Sequence, residues 1–256
     1  MLGFGLSIEP QLWALVFVMI RIGATFIAAP VFGSVSVPLT VRVTLSGAIG
    51  FLVLAAHPIV PPQNIFAVTT ILSAAAEALV GLALGFVLQI AFAAPMIAAE
   101  VIGGAMGLGF ASSIDPQNGK SSPALGQFFS IMLTLLFLSV DGHLILIDLL
   151  VKSYDVLPGA AWIGVERLKA IAFFGGYAFL AGLLLALPVG FLLLCLNIVV
   201  GMLSRAAPSL NLFAVGLPAS LAVGVVTLAI AFPTMGDYML VIVREGLAAT
   251  ENLVLG

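Results

Sequence analysis

Long apolar runs, parted by short clusters of proline, glycine and polar residues, fill the chain from end to end. Trp13 to Ala29 is the first, broken by Arg21. Thr44 to Ile59 follows, opening just after Arg42. The third, Ile65 to Ala99, holds Glu77, and the fourth, Ala124 to about Val151, holds Asp141, His143 and Asp148. The fifth, Ala170 to Ser204, is free of charge for 35 residues. The sixth runs from about Leu210 to Phe232, with a mildly polar tail to Gly256. About 20 apolar residues cross a hydrocarbon core as a helix. The pattern therefore predicts an all-α membrane protein of about six long helical segments. Breaks fall at 30–38, 57–64, 103–123, 153–165 and 205–211, where proline, glycine and polar residues cluster. The last two runs predict a hairpin turning around Ala207-Pro208-Ser209, and Pro188 and Pro218 should kink its two helices. No polar linker divides the chain, so a single domain over 1–256 is expected. The first basic residue is Arg21, so the first run reads as a retained helix rather than a signal peptide.

Composition narrows the function classes. Hydrophobic residues make up 62% of the 256, and only 7% are charged, against about 25% in a soluble domain. Mean hydropathy is +1.30. Too few polar side chains exist to cover a water-facing surface, which excludes soluble enzymes and disordered chains. Eight Lys+Arg cannot build a face for phosphate backbones, so no nucleic-acid partner is expected. The single cysteine, Cys195, allows neither a disulfide framework nor a cysteine metal site within the chain. Six spans would put Arg42, Lys120 and Arg205 on one side and Lys152, Arg167, Lys169 and Arg244 on the other. That split gives no orientation under the positive-inside rule.

Few residues could carry chemistry. Arg21 sits mid-run, where a central charge costs about 2.5–3.5 kcal/mol and must find an acceptor. Glu77, Glu100 or carbonyls freed by Pro30 are the candidates. Glu77, Gly81 and Gly85 are spaced by four and share one helical stripe. Gly81 and Gly85 form a GxxxG surface for close packing against another helix. Asp141 and Asp148 share a face of one segment, which suits neither a proton relay nor a two-segment protease dyad. Asp148 and Lys152 form an i,i+4 pair, and Asp141-Gly142-His143 reads as a structural break. His57 and His143 are far apart and no HExxH occurs, so no metal and no cofactor is expected. Residues 103–126 hold six glycines and four serines in 24 positions. Two readings stand for this segment: a loop lining or closing a pore, or a flexible connector outside the membrane.

Several motifs in order resemble the FliR family of flagellar export-gate membrane proteins and their virulence type III secretion counterparts. Arg21-Ile-Gly23 through Pro30, then Val37-Pro38 with Arg42, resembles the family's N-terminal pattern. Glu77, Gly81, Gly85 and Phe86 follow. Glu100, Gly103, Met106-Gly107-Leu108-Gly109-Phe110 and Asp115-Pro116 resemble its central segment, and Gly142-His143 its fourth apolar block. Pro208, Leu210, Asn211, Phe213, Gly216 and Pro218 carry the strongest likeness. The family usually has glutamine where this chain has Ser209, so a bond specific to that amide is not expected.

The resemblance implies a subunit that breaks no bonds. A FliP-like part over about 1–165 would join a FliQ-like hairpin and tail over about 170–256. Partners would be FliP-like and FliQ-like membrane subunits, an FlhB-like subunit, membrane lipid and unfolded export substrates, at the flagellar basal body in the bacterial inner membrane. The central segment, about 106–122, would plug the pore, with Met106, Gly107, Leu108, Gly109, Phe110, Ile114, Asp115 and Pro116 as gate residues. Arg21, Glu77, Gly81, Gly85, Pro208, Asn211, Phe213, Gly216 and Pro218 would serve helix packing and assembly. An injectisome gate subunit and a small-solute secondary transporter are the alternatives, with an intramembrane protease behind them.

Overall fold

The computed structural model describes residues 8–57, 59, 67–108, 124–159, 161–207 and 212–255. Among these the regular elements are all helices. They are α1 (Ile8–Ala28), α2 (Leu39–Ala56), α3 (Val68–Ala105), α4 (Ala124–Ser139), α5 (Gly142–Val156), α6 (Val165–Ala206) and α7 (Leu212–Leu255). Five are long and apolar enough to cross a membrane, and α4 with α5 makes a sixth if the pair counts as one broken span. The protein is an all-α membrane protein.

Three differences from the apolar pattern change the outline of the fold. The fourth run is two helices, broken where Asp141 takes left-handed backbone (φ 55°) ahead of Gly142. Helix α3 continues past Ala99 to Ala105, so Gly103 and Gly104 are helical rather than part of a loop. The polar tail is not a separate segment, because α7 runs unbroken to Leu255. Its last turns are rich in good helix formers. Leu247, Thr250 and Val254, spaced by three and four, give it a buried face. Pro188 and Pro218 lie within continuous helices, and so do Pro95 and Pro233. Membrane helices tolerate such prolines where neighbouring groups take up the freed carbonyls.

The described residues form two compact units. The first is drawn from Met1–Ile90, Asp141–Phe174 and Gly246–Gly256, the second from Ala91–Val140 and Gly175–Glu245. In the first unit, Val18, Ile22 and Phe26 of α1 lie one turn apart and are buried with Ile49 and Val53 of α2, Val80, Leu84 and Val87 of α3, and Leu150 of α5. Gly50 admits α1 closely: a Cβ there would stand 3.1 Å from Leu15 Cδ1. The chain leaves α1 through a tight turn in which the Phe32 N–H donates to the Pro30 carbonyl at 2.8 Å. Val31 between them has φ 68°, a strained conformation for a β-branched residue. The Phe26 and Phe32 rings stack across this turn, 4.6 Å apart.

In the second unit, α3 buries a stripe of small residues, Ala91, Ala94 and Ala98, with Ile102 below them. Opposite lies Gly182 of α6, where a Cβ would stand 2.6 Å from the Ala94 carbonyl oxygen and 2.8 Å from Ile97 Cβ. Two helix backbones are therefore nearly in contact. Phe92 of α3 meets Phe137 of α4 edge-on at 5.5 Å, and Phe128 of α4 meets Phe232 of α7 at 5.8 Å.

Gly182→Ala should overpack this crossing and cost about 1–3 kcal/mol. Gly236→Ala is the control, since a Cβ there meets nothing within 4 Å. The thermal aggregation midpoint of the detergent-solubilised protein should fall for the first and hold for the second.

Candidate functional site

The apolar run of α1 leaves Arg21 no water, and the fold supplies protein acceptors instead. Arg21 is fully buried and Glu77 is 1% exposed. The Arg21 Nε–H donates to Glu77 Oε2 at 2.8 Å and Nη2 to Glu77 Oε1 at 2.9 Å, a two-pronged pair between α1 and α3. Nη2 also donates to the Leu157 carbonyl at 2.9 Å. Nη1 donates to the Ser153 carbonyl at 3.1 Å and to Ser153 Oγ at 3.0 Å. A guanidinium has five N–H donors, and all five are used here. The Tyr154 ring lies 4.1 Å below the guanidinium carbon, while its hydroxyl donates to the Val18 carbonyl at 3.0 Å. Cation–π contact from α5 thus adds to the charge pairing with Glu77 of α3.

Glycines make this geometry reachable. A Cβ on Gly81 would collide with the Arg21 carbonyl oxygen and stand 2.9 Å from Ala24 Cβ. One turn on, a Cβ on Gly85 would stand 2.5 Å from the Thr25 carbonyl oxygen and 2.8 Å from Ala28 Cβ. The GxxxG stripe of α3 therefore packs on the backbone of α1, with Glu77 one turn before it. Of the acceptors weighed for Arg21, the structure brings Glu77. The carbonyls come from Ser153 and Leu157 rather than from Glu100, which is exposed, or from the turn at Pro30.

Further side-chain pairs lie in this unit, among them Lys169 Nζ with Glu166 Oε1 at 2.8 Å near the start of α6. Lys152 Nζ meets Asp148 Oδ2 at 2.7 Å on the exposed side of α5. His57 Nε2 lies 2.7 Å from Asp155 Oδ1, joining the C-cap of α2 to the last turn of α5. Asp141 stands exposed at the helix break, and Asp148 is engaged with Lys152.

Elsewhere, α3 ends at the start of the Gly/Ser-rich segment. Met106 is 4% exposed, Gly107 has φ 80°, and Leu108 is half-buried. Gly109, Phe110, Ile114, Asp115 and Pro116 lie outside the described residues, as do Pro208 and Asn211. Phe213 falls in the first turn of α7. Gly216 faces α6, where its Cβ would stand 3.3 Å from Val200 Cγ1, and Pro218 follows half a turn later.

A model of the family described as bacterial export proteins, family 1, matches residues 12–246. The chain belongs to this family. It is 39% identical over 227 residues to the flagellar biosynthetic protein FliR of Escherichia coli (strain K12), covering 86% of this chain and 84% of the relative. It is 40% identical over 222 residues to that of Pectobacterium carotovorum subsp. carotovorum, with the same coverage. The corresponding protein of Bacillus subtilis (strain 168) is 34% identical over 227 residues, or 84% of each chain. In this export-family chain the buried cluster includes three residues that the sequence did not single out: Ser153, Tyr154 and Leu157. Two of them offer main-chain carbonyls, which any residue carries. Tyr154 falls at the edge of an expected break, and nothing local ties it to Arg21, 133 positions earlier.

Glu77→Gln should leave the buried guanidinium without its counter-charge and destabilise the protein by about 3–5 kcal/mol. The double change Arg21→Met with Glu77→Leu removes both charges and should recover most of that loss. Membrane-fraction abundance and thermal aggregation midpoints of the three forms check this ordering.

Proposed function

We propose that this chain is a membrane subunit of the flagellar type III protein export gate and forms part of the channel for unfolded flagellar proteins. The likeness to FliR relatives over most of both chains carries the reading. The relatives' flagellar names favour the flagellum over the injectisome. The gate would sit in the bacterial inner membrane at the flagellar basal body, with FliP-like, FliQ-like and FlhB-like subunits around it.

Helix length supports an assembly of several chains. The charge-free run 170–204 of α6 extends about 52 Å at 1.5 Å per residue, against about 30 Å of hydrocarbon. Lipid alone would cover it only at a tilt of roughly 55°, beyond the usual 0–40°. Within the chain, only 22% of the most apolar window of α6 is buried, and 17% of that of α7. Surface of this extent is open to neighbouring chains as well as to lipid. In this reading a FliP-like part at about 1–165 joins a FliQ-like hairpin and tail at about 170–256.

The segment 106–122 is the seal in this reading. Small residues fill a narrow lumen without fixing it, while Leu108, Phe110 and Ile114 exclude water. A dry constriction blocks ions by dewetting. Few polar groups hold a polypeptide in transit, and no residue is assigned a bond-breaking step.

Cells lacking the chain should lose motility and retain unexported flagellar proteins. Deleting residues 109–119 within the complete complex should raise ion leakage across the inner membrane, measured by ion-sensitive dye or conductance. Unchanged permeability would overturn the seal.

A further inference from the structure

The end of α3 is built as a stop with a defined exit. The Leu108 N–H donates to the Gly103 carbonyl at 2.9 Å and the Gly107 N–H to the Gly104 carbonyl at 3.1 Å. With Gly107 in left-handed backbone, this is a Schellman motif, and Met106 is the helix cap residue. The side chain of that cap lies across Gly224 of α7. A Cβ on Gly224 would stand 2.6 Å from Met106 Cγ, 2.9 Å from Sδ and 2.8 Å from Cε. Every atom of the side chain beyond its own Cβ thus lies against this glycine, and a Cβ there would force the methionine to move. The neighbouring Ala105 carbonyl, left unpaired by the helix end, is met by Asn197 Nδ2 of α6 at a long 3.5 Å. Asn197 is the one carboxamide in the charge-free run of α6.

We propose that Gly224 and Asn197 are positioning residues for the pore seal, acting through Met106 and Gly107, which form its root rather than its blocking surface. This rests on the sealing reading above. A segment joined to its helix by a free swivel cannot return to one place in a lumen. Here three restraints set the departure: the backbone turn at Gly107, the seat on Gly224 and the amide of Asn197. The restraint is also releasable. Methionine is unbranched and makes only dispersion contacts with its seat, so it can slide out without breaking a polar bond.

The test uses the complete complex in cells with Cys195→Ser throughout. Met106→Cys paired with Gly224→Cys should form an internal disulfide under mild oxidation, read as a linked peptide by mass spectrometry. Absence of that peptide overturns the seat. Gly224→Ala should raise ion leakage several-fold while co-purification of the partner subunits stays at the wild-type level. Gly107→Val should leak likewise, but Gly107→Asn, which accepts left-handed backbone, should hold the barrier. If the 109–119 deletion leaks and Gly224→Ala does not, the positioning role is wrong and the seal stands. If the deletion is silent although the linked peptide forms, the sealing reading fails and takes the positioning role with it.

Discussion

A guanidinium removed from water must be surrounded by acceptors, and the first unit of this protein is arranged around that requirement. Arg21 draws its five acceptor contacts from α3, from α5 and from the turn after α5, with an aromatic face from α5 as well. A buried ion pair seldom adds stability over an apolar core of equal volume, but losing one partner is severe. Its effect is therefore selective. Other registers of α1 against α3 would bury an unpaired charge, and the glycine stripe admits close contact only where Gly81 and Gly85 meet the backbone of α1.

The second unit follows a different rule. Among its described residues the helices pack through small side chains and aromatic contacts, with a close backbone approach at Gly182. Long apolar surfaces on α6 and α7 stay uncovered within the chain. Such surfaces suit a component of a larger body, whose neighbours complete what one chain leaves open.

Much of the fold was legible because lipid imposes a simple grammar: apolar length predicts a helix, and a charge within that length predicts a partner. Arg21, Glu77 and the GxxxG stripe could be singled out on those grounds. Acceptors that are main-chain carbonyls, at Ser153 and Leu157, carry no signature and could not. Helix α3 ends several residues beyond the apolar pattern because glycine reads as a loop former, although in a membrane helix its helical cost is offset by packing. Residues after Phe232 read as a polar tail because their charges lower hydropathy, yet their apolar positions keep the helical period to Leu255. Gly224 gave no signal at all: a single glycine in an apolar run acquires meaning only from what lies on it. The gate segment from Gly109 to Pro116 lies outside the described residues, so its placement stays with the proposal.

The reach of the Arg21 contacts has a consequence for biogenesis. Leu157 follows Arg21 by 136 residues, and a ribosome adding about 5–20 residues per second needs roughly 7–27 s to make that stretch. Until α3 is made the cation of α1 lacks Glu77, and until α5 is made it lacks its remaining acceptors. The newborn first helix must therefore wait, sheltered by the insertion machinery or pulled toward the headgroups, until the middle of the protein emerges. Maturation is then set by the slowest arrival, and a ribosome stalled before codon 77 would leave a helix that the bilayer holds poorly.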